Sequence, residues 1–274
     1  MALNGGVADR VRSIPLFRNL SDRCLPALLK SASIRYFPAR VLLFAENSRA
    51  NTLYTLLQGS VELFSEHHDR RSTIAIIRSV KPVALTSIAD DLNPVSARSL
   101  ERSELLLLPL KVLHELIDSD AAFARTITFE LARDLRATIE DFKNQRLRTS
   151  IERLAEWILR SDEEAGGTGR FVLPYGKHVL ASHLGMAPEN LSRNLASLGV
   201  LGVAVRGREV SFTDRAALAE LARIGDATPA HAFAPPLAHV SPSWQPAVRK
   251  RKGSKKEAER DDVSSKGHPA LAPD

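Results

Sequence analysis

Glu189, Ser192 and Arg193 fall within a single stretch of five residues and together offer a carboxylate, a hydroxyl and a guanidinium. Such groups read base edges in a DNA major groove: arginine pairs with guanine, glutamate accepts from cytosine, and serine suits several bases. That chemistry needs all three on one exposed helix face. Leu191, Leu195 and Leu198 supply the opposite, apolar face at helical spacing, and Pro188 stands where a first-turn proline is tolerated. A shorter helix precedes it, carrying Leu180, Ala181 and Leu184, and Gly185 ends it as a residue able to take a positive φ. Small Ala181 lets the two helices approach closely. The pattern is that of a helix-turn-helix whose second helix reads.

Residues 203–212 predict a wing. Val203, Val205, Val210 and Phe212 alternate around Arg206-Gly207-Arg208, two short strands joined at a glycine turn with arginines at its tip, placed for phosphates. Residues 170–215 hold six Arg/Lys (Arg170, Lys177, Arg193, Arg206, Arg208, Arg215) against three acids (Glu189, Glu209, Asp214), a net charge of +3 that suits a phosphate-facing surface.

Upstream elements must carry this reader. Residues 34–44, 53–64, 73–80 and 104–108 are short β-like runs separated by turn formers such as Glu46-Asn47-Ser48, Gln58-Gly59-Ser60 and His67-His68-Asp69, which predicts a small sandwich or jelly-roll barrel. Ahead of them, Ser21 is positioned to cap a helix with Leu25, Leu28 and Leu29 inside. Over 119–148 the period becomes helical: Phe123, Ile127, Leu131, Leu135, Ile139 and Phe142 recur every three or four residues. So long a stripe needs a partner, and a second copy of the chain is the preferred one. Two-fold pairing would set two reading helices about 34 Å apart, one DNA turn, and so predicts an inverted-repeat site. Thr149 and Glu152 form a capping box opening a helix over 151–159, and Gly166-Gly167-Thr168-Gly169 is a break before the reader.

Composition narrows the classes. With 274 residues, 44% hydrophobic and 26% charged, the chain has room for two cored domains of a soluble protein. No apolar run approaches the ~20 residues of a membrane span, and no basic-then-apolar leader is present, so no membrane partner and a cytoplasmic location are expected. Cys24 is the sole cysteine, which excludes an intrachain disulfide and a four-cysteine iron–sulfur cluster held by one chain. The net charge of +6 resides in residues 249–256, six basic groups without an acid; the rest of the chain is neutral. From about residue 226 the composition reads as a disordered tail whose basic cluster could add non-specific DNA affinity.

Barrel, long helix and winged helix together resemble the cyclic AMP receptor protein/FNR (Crp/FNR) superfamily of bacterial transcription regulators. Leu16-Phe17 to Leu20, Leu53-Tyr54 through Gly59-Ser60-Val61, and Pro188-Glu189-Asn190-Leu191-Ser192-Arg193 carry the likeness, which spans residues 14–224. It implies an α+β fold: an effector-sensing jelly-roll of the cyclic-nucleotide-binding kind (1–118), a dimerisation helix (119–148), a winged helix-turn-helix (149–225), then the tail (226–274). Double-stranded DNA, a second copy of the chain and RNA polymerase are the implied partners. The last run is similar to the FNR-type and nitric-oxide-responsive branches, whose Glu, Ser and Arg read a TTG-type half-site. By that likeness Glu189, Ser192 and Arg193 read bases, while Asn190, Lys177, His178, Arg206 and Arg208 contact backbone.

The chain departs from the cyclic-nucleotide binders of this family, which carry a Gly-Glu and an Arg-Ser/Thr pair around the cyclic phosphate. Here Ala84-Leu85-Thr86-Ser87 and Asn93-Pro94-Val95-Ser96 occupy the matching stretches, leaving Leu85, Thr86, Ser87, Ser96 and Arg98 as candidate effector-pocket residues, with Arg98-Ser99 a shifted substitute for the pair. A buried phosphate needs such a cation with donors. Neither cyclic AMP nor an iron–sulfur cluster is therefore expected, and no protein-bound metal. Haem, bound by some relatives in the nitric-oxide branch, is the remaining candidate cofactor. Its possible ligands are His67 and His68, expected on a hairpin tip, and His114, expected on a surface helix. No catalytic residues are assigned: there is no phosphate loop or nucleophile elbow, and His178 and His183 lie five apart, off metal-ligand spacing. The rival to a DNA reader is a barrel-containing regulatory subunit whose winged helix binds protein.

Overall fold

The computed structural model describes residues 4–222, except Asp69 and Asp90. Helix α1 (Asn4–Ser13), a 3-10 turn (Pro15–Phe17) and α2 (Leu25–Ser31) lead into eight strands: β1 (Ser33–Phe37), β2 (Leu42–Phe44), β3 (Thr52–Gln58), β4 (Val61–His67), β5 (Arg70–Ile77), β6 (Lys81–Val83), β7 (Ser96–Ser99) and β8 (Ser103–Pro109). They form two antiparallel four-stranded sheets, ordered β1-β8-β3-β6 and β2-β7-β4-β5. Leu56, Val61, Ile77, Val83, Ala97 and Leu105 fill the space between them, the alternate residues of each strand pointing inward. The run over 34–44 divides at Pro38, which cannot donate to a ladder. Gly59 turns β3 into β4 at φ 100°, where a Cβ would lie 2.7 Å from the Cα of Ser103; no other residue fits there.

Two expectations for the helices need correction. Ser21 does not cap α2, whose N-cap is Cys24 without a side-chain capping bond. The Ser21 N–H instead donates to Asp120 Oδ2 at 2.9 Å. Asp120 separates α3 (Leu110–Ser119) from α4 (Ala121–Leu147), its other oxygen accepting the N–H groups of Ala122 and Phe123, each at 3.0 Å. These backbone donors hold its carboxyl below the usual carboxylate range.

The apolar stripe of α4 also departs from expectation. Residues four apart advance about 40° around a 3.6-residue helix at each step, so the series Phe123, Ile127, Leu131, Leu135, Ile139 winds over the surface. Phe123 (0% exposed) and Ile127 (4%) are consequently buried against the protomer's own helices, Phe123 stacking on Phe17, with Leu131 packed at the edge. Leu135 (62%), Ile139 (49%) and Phe142 (60%) face solvent. Only this second half is open to another chain.

After α4, Arg148 is extended and Thr149 opens α5 (Ser150–Glu164) with the expected capping box, Glu152 reaching back to the Thr149 N–H at 2.8 Å. Then come β9 (Arg170–Val172), α6 (Lys177–His183), α7 (Pro188–Ser197), a 3-10 turn (Leu198–Leu201), β10 (Ala204–Arg206), β11 (Glu209–Ser211) and α8 (Arg215–Ala222). One core, including Leu154, Ile158, Phe171, Leu180, Leu191, Leu198, Val210 and Leu218, joins them. The basic cluster at 249–256 lies outside the described residues. Among the described residues no helix is long and apolar enough to cross a membrane, and no cluster of three or more His, Cys, Asp or Glu could hold a metal ion.

Candidate nucleic-acid interface

The reading pair forms as its apolar spacing requires. Leu180, Ala181, Leu184 and Leu191 are buried, and Ala181 has no exposed surface, so α6 and α7 pack closely. Gly185 takes φ 63° at the turn, and the Met186 N–H closes back on the Ala181 carbonyl at 2.9 Å. Ala187 is the N-cap of α7 and Pro188 its first residue. The opposite face of α7 then carries Glu189, Asn190, Ser192 and Arg193, all exposed. Ser192 donates to the Pro188 carbonyl at 3.1 Å, and neither Glu189 nor Arg193 has an ion pair among the described residues. Lys177 and His178 are exposed at the start of α6.

The wing is a three-stranded sheet, β10-β11-β9, not the expected two-stranded hairpin: Val210 pairs with Phe171. Gly207 turns it at φ 62° and Arg206 is exposed at its tip. Arg208 is exposed but tied back to the sheet. Its Nε and Nη2 donate to the Leu173 carbonyl at 3.0 and 2.6 Å, because that carbonyl lies just beyond β9, the strand beside β11. Arg215 is engaged too, on Asp162 at 2.8 Å and Glu163 at 2.6 Å. Asp162, wholly buried, also accepts the Gly169 N–H at 2.7 Å and so ties α8 to the entrance of the wing. Beneath the reader, the Trp157 indole donates to the Tyr175 hydroxyl at 3.2 Å, and burial pushes Tyr175 up to about 12.

The reader docks on the barrel through α6. Register places Glu62, Phe64, Thr73, Ile76 and Arg98 on the outer face of the β2-β7-β4-β5 sheet. Ile76 joins the reader's core, and the Thr73 N–H donates to Ser182 Oγ at 2.7 Å. Behind that bond lies Glu62, 1% exposed, which accepts from Thr73 Oγ1 at 2.6 Å and from Arg98 Nε at 2.5 Å, with Arg71 at 3.7 Å. His183 shares the seam. Its Nδ1 is buried without a hydrogen-bond partner among the described residues, and burial, then Arg160, pull it below the usual imidazole value against the pull of Glu62.

The candidate effector residues do not converge on a pocket. Arg98 points away from the barrel interior, because its neighbour Ala97 points in, and it pairs with Glu62 on the outer face. Ser96 Oγ accepts the Glu46 N–H at 2.9 Å. Leu85 is core, Thr86 is exposed, and Ser87 is buried at 3.4 Å from Asn93, which itself holds Ser48. The group therefore does not fit a cyclic phosphate: no cation of the set faces inward. His67 and His68 are exposed at the β4–β5 tip. His114 Nε2 lies 3.1 Å from the Ile88 carbonyl, a tie across the barrel base and not an open surface position. None of the three is placed as a haem ligand in an apolar cavity.

Residues 34–120 match the cyclic nucleotide-binding domain family and residues 152–221 the Crp-like helix-turn-helix domain family. The chain is 24% identical over 216 residues to the transcriptional activator protein Anr of Pseudomonas protegens, covering 76% of this chain and 88% of that one. It is 23% identical to the transcriptional activator protein FnrA of Stutzerimonas stutzeri, with the same coverage. In fold it resembles FixK2 from Bradyrhizobium japonicum, with a TM-score of 0.64 at 22% identity, covering 72% of this chain and 98% of that structure. With both domains matched in order on either side of the long helix, the chain belongs to the Crp/FNR family of bacterial transcription regulators.

Proposed function

We propose that the protein regulates transcription as a homodimer reading an inverted repeat of TTG-like half-sites. The observation that carries this is the exposed set of Glu189, Ser192 and Arg193 on α7, its two charges without an ion pair among the described residues, opposite an apolar face buried at Leu191. Arg193 and Glu189 read base edges with Ser192 beside them. Asn190, Lys177, His178 and Arg206 hold phosphates and set the register. Arg208, tied to Leu173, contributes to wing shape more than to phosphate binding. The open stripe of Leu135, Ile139 and Phe142 pairs with its copy.

Control is by rigid-body movement. The seam of Thr73, Ser182 and Glu62 links barrel to reader, so a signal that alters the barrel's outer sheet shifts the reader between two positions. RNA polymerase is the partner through which a DNA-bound dimer acts, in the cytoplasm.

Fluorescence anisotropy tests the reading. Purified protein is titrated against an inverted-repeat TTG duplex and a scrambled duplex at physiological salt. Binding to the repeat at least ~1,000-fold tighter than to scrambled DNA is the expected result. Equal affinities, with or without a shift in oligomeric state, would remove the reading.

A further inference from the structure

Two guanidiniums occupy the joint between the long helix and the reader: Arg148 donates to Glu156 and to the Ala222 carbonyl, and Arg153 bridges two helix ends. α4 ends at Leu147, and the helix-turn-helix turn abuts that end: a Cβ built on Gly185 would lie 2.5 Å from Gln145 Oε1. Arg153, in the first turns of α5, spans the gap. Its Nη1 donates to the Arg148 carbonyl at 2.6 Å, its Nε to the Leu184 carbonyl at 2.9 Å, and its Nη2 lies 3.5 Å from the Gly185 carbonyl. Arg148 is the C-cap of α4 and Leu184 the C-cap of α6. The last carbonyls of a helix lack intrahelical donors and carry its negative dipole end, so one cation satisfies both helix ends at once. A planar fork suits acceptors in three directions, which a single ammonium does not match. From the other side, Asn194 of α7 donates to Ser150 Oγ at 3.0 Å, fastening the reading helix to the same end of α5.

We propose that Arg153 is a positioning residue that fixes the angle between the dimer helix and the reading helix, and thereby the half-site spacing the dimer accepts. The inference rests on the dimeric DNA reading above. Inserting one base pair between half-sites moves them apart and turns one about the duplex by roughly a tenth of a turn. A stiff joint rejects that displacement, and a loosened one absorbs it. Arg153 itself touches no base, so half-site preference is unaffected.

The full-length dimer, as wild type, Arg153→Lys and Arg153→Met, is titrated by anisotropy against inverted repeats with spacers at the optimum and one and two base pairs either side. A duplex with one substituted half-site base serves as control. Wild type should prefer the optimum over a one-base-pair change by about tenfold, and both variants by under about threefold, with the penalty for the substituted base retained. Full spacing preference in both variants would overturn the proposal, as would equal weakening on every duplex. Should Arg153→Met melt early, spin labels at exposed positions 133 and 196 in Arg153→Lys give a second measure. A broadened distance distribution is expected, and one unchanged from wild type refutes the role. Failure of wild type to distinguish the substituted base would instead overturn the DNA reading beneath it.

Discussion

Two faces of this molecule carry the same three kinds of group. On α7 they are Glu189, Ser192 and Arg193; on the outer sheet of the barrel they are Glu62, Thr73 and Arg98. On the sheet the three bind one another, the carboxylate taking both the hydroxyl and the guanidinium, and Glu62 is out of water. On α7 the charges have no ionic partner among the described residues and stand in solvent. A buried carboxylate must be paired to persist, whereas an exposed one costs nothing to leave open. Side-chain type therefore does not separate a reading surface from an internal seam; pairing and burial do.

Removing a carboxylate from each face should give opposite results. Glu62→Ala leaves Arg98 without its counter-charge in the seam, Arg71 keeping Glu66 at 3.5 Å, and is expected to lower stability by about 3 kcal/mol in denaturant titration. Glu189→Ala should stay within about 0.5 kcal/mol of wild type in the same assay. Comparable losses would erase the distinction. The long helix offers a parallel pair of nearly the same size: Phe123→Ala should cost about 3 kcal/mol of protomer stability. Phe142→Ala should instead raise the dimer dissociation constant in analytical ultracentrifugation while sparing protomer stability.

On the reading side, Arg193→Ala should weaken specific binding by about 1–3 kcal/mol and relax selectivity at one base. Arg206→Ala should weaken specific and scrambled duplexes equally, and Arg208→Ala should weaken DNA binding less than Arg206→Ala does. A larger effect at Arg208 would mean that its tie to Leu173 opens on DNA.

The smallest effect is pH-dependent. His183 has a folded pKa below its unfolded value of about 6.5, so as pH falls past that value the unfolded chain binds a proton that the folded seam excludes. Stability is then at its full value above the unfolded pKa and declines as pH drops toward the folded one. The seam faces His183 with Glu62 from the sheet and Arg160 from α5, while Asp141, Arg153 and Glu156 line the adjoining cleft. Melting temperatures of wild type and His183→Gln between pH 7.5 and 5.5 should diverge, with wild type falling more steeply. Parallel curves would separate His183 from the seam's response.

Much of the reader was legible before the structure, because Leu180, Leu184, Leu191 and Leu198 mark faces at helical spacing and Gly185 marks the turn. The capping box of Thr149 and Glu152 was legible for the same reason, being local. What escaped was short or non-local. β6, β7 and β9 have three or four residues each, too few for a period to show, so the wing's third strand was missed. Arg208 and Arg215 were read as part of a phosphate-facing surface, because a backbone carbonyl or a carboxylate brought near by folding leaves no trace in neighbouring sequence; Arg153 drew no reading for the same reason. Arg98 was assigned to a pocket on its proximity to the Asn93-Pro94 stretch, yet strand alternation next to Ala97 turns it outward. The stripe of α4 was seen correctly as apolar, but its winding divided it between two destinations.

That winding has a mechanical consequence. The open stripe begins near Leu135, ~20 Å along α4 from its barrel end, and Phe142 lies within ~8 Å of its last residue, Leu147. In the proposed dimer the crossing of the two long helices acts as a fulcrum with a long arm on the sensing side and a short one on the reading side. Such a lever reduces travel and multiplies force. By that geometry a broad shift of the barrels in the proposed dimer would emerge at the DNA as a displacement of small stroke and high thrust.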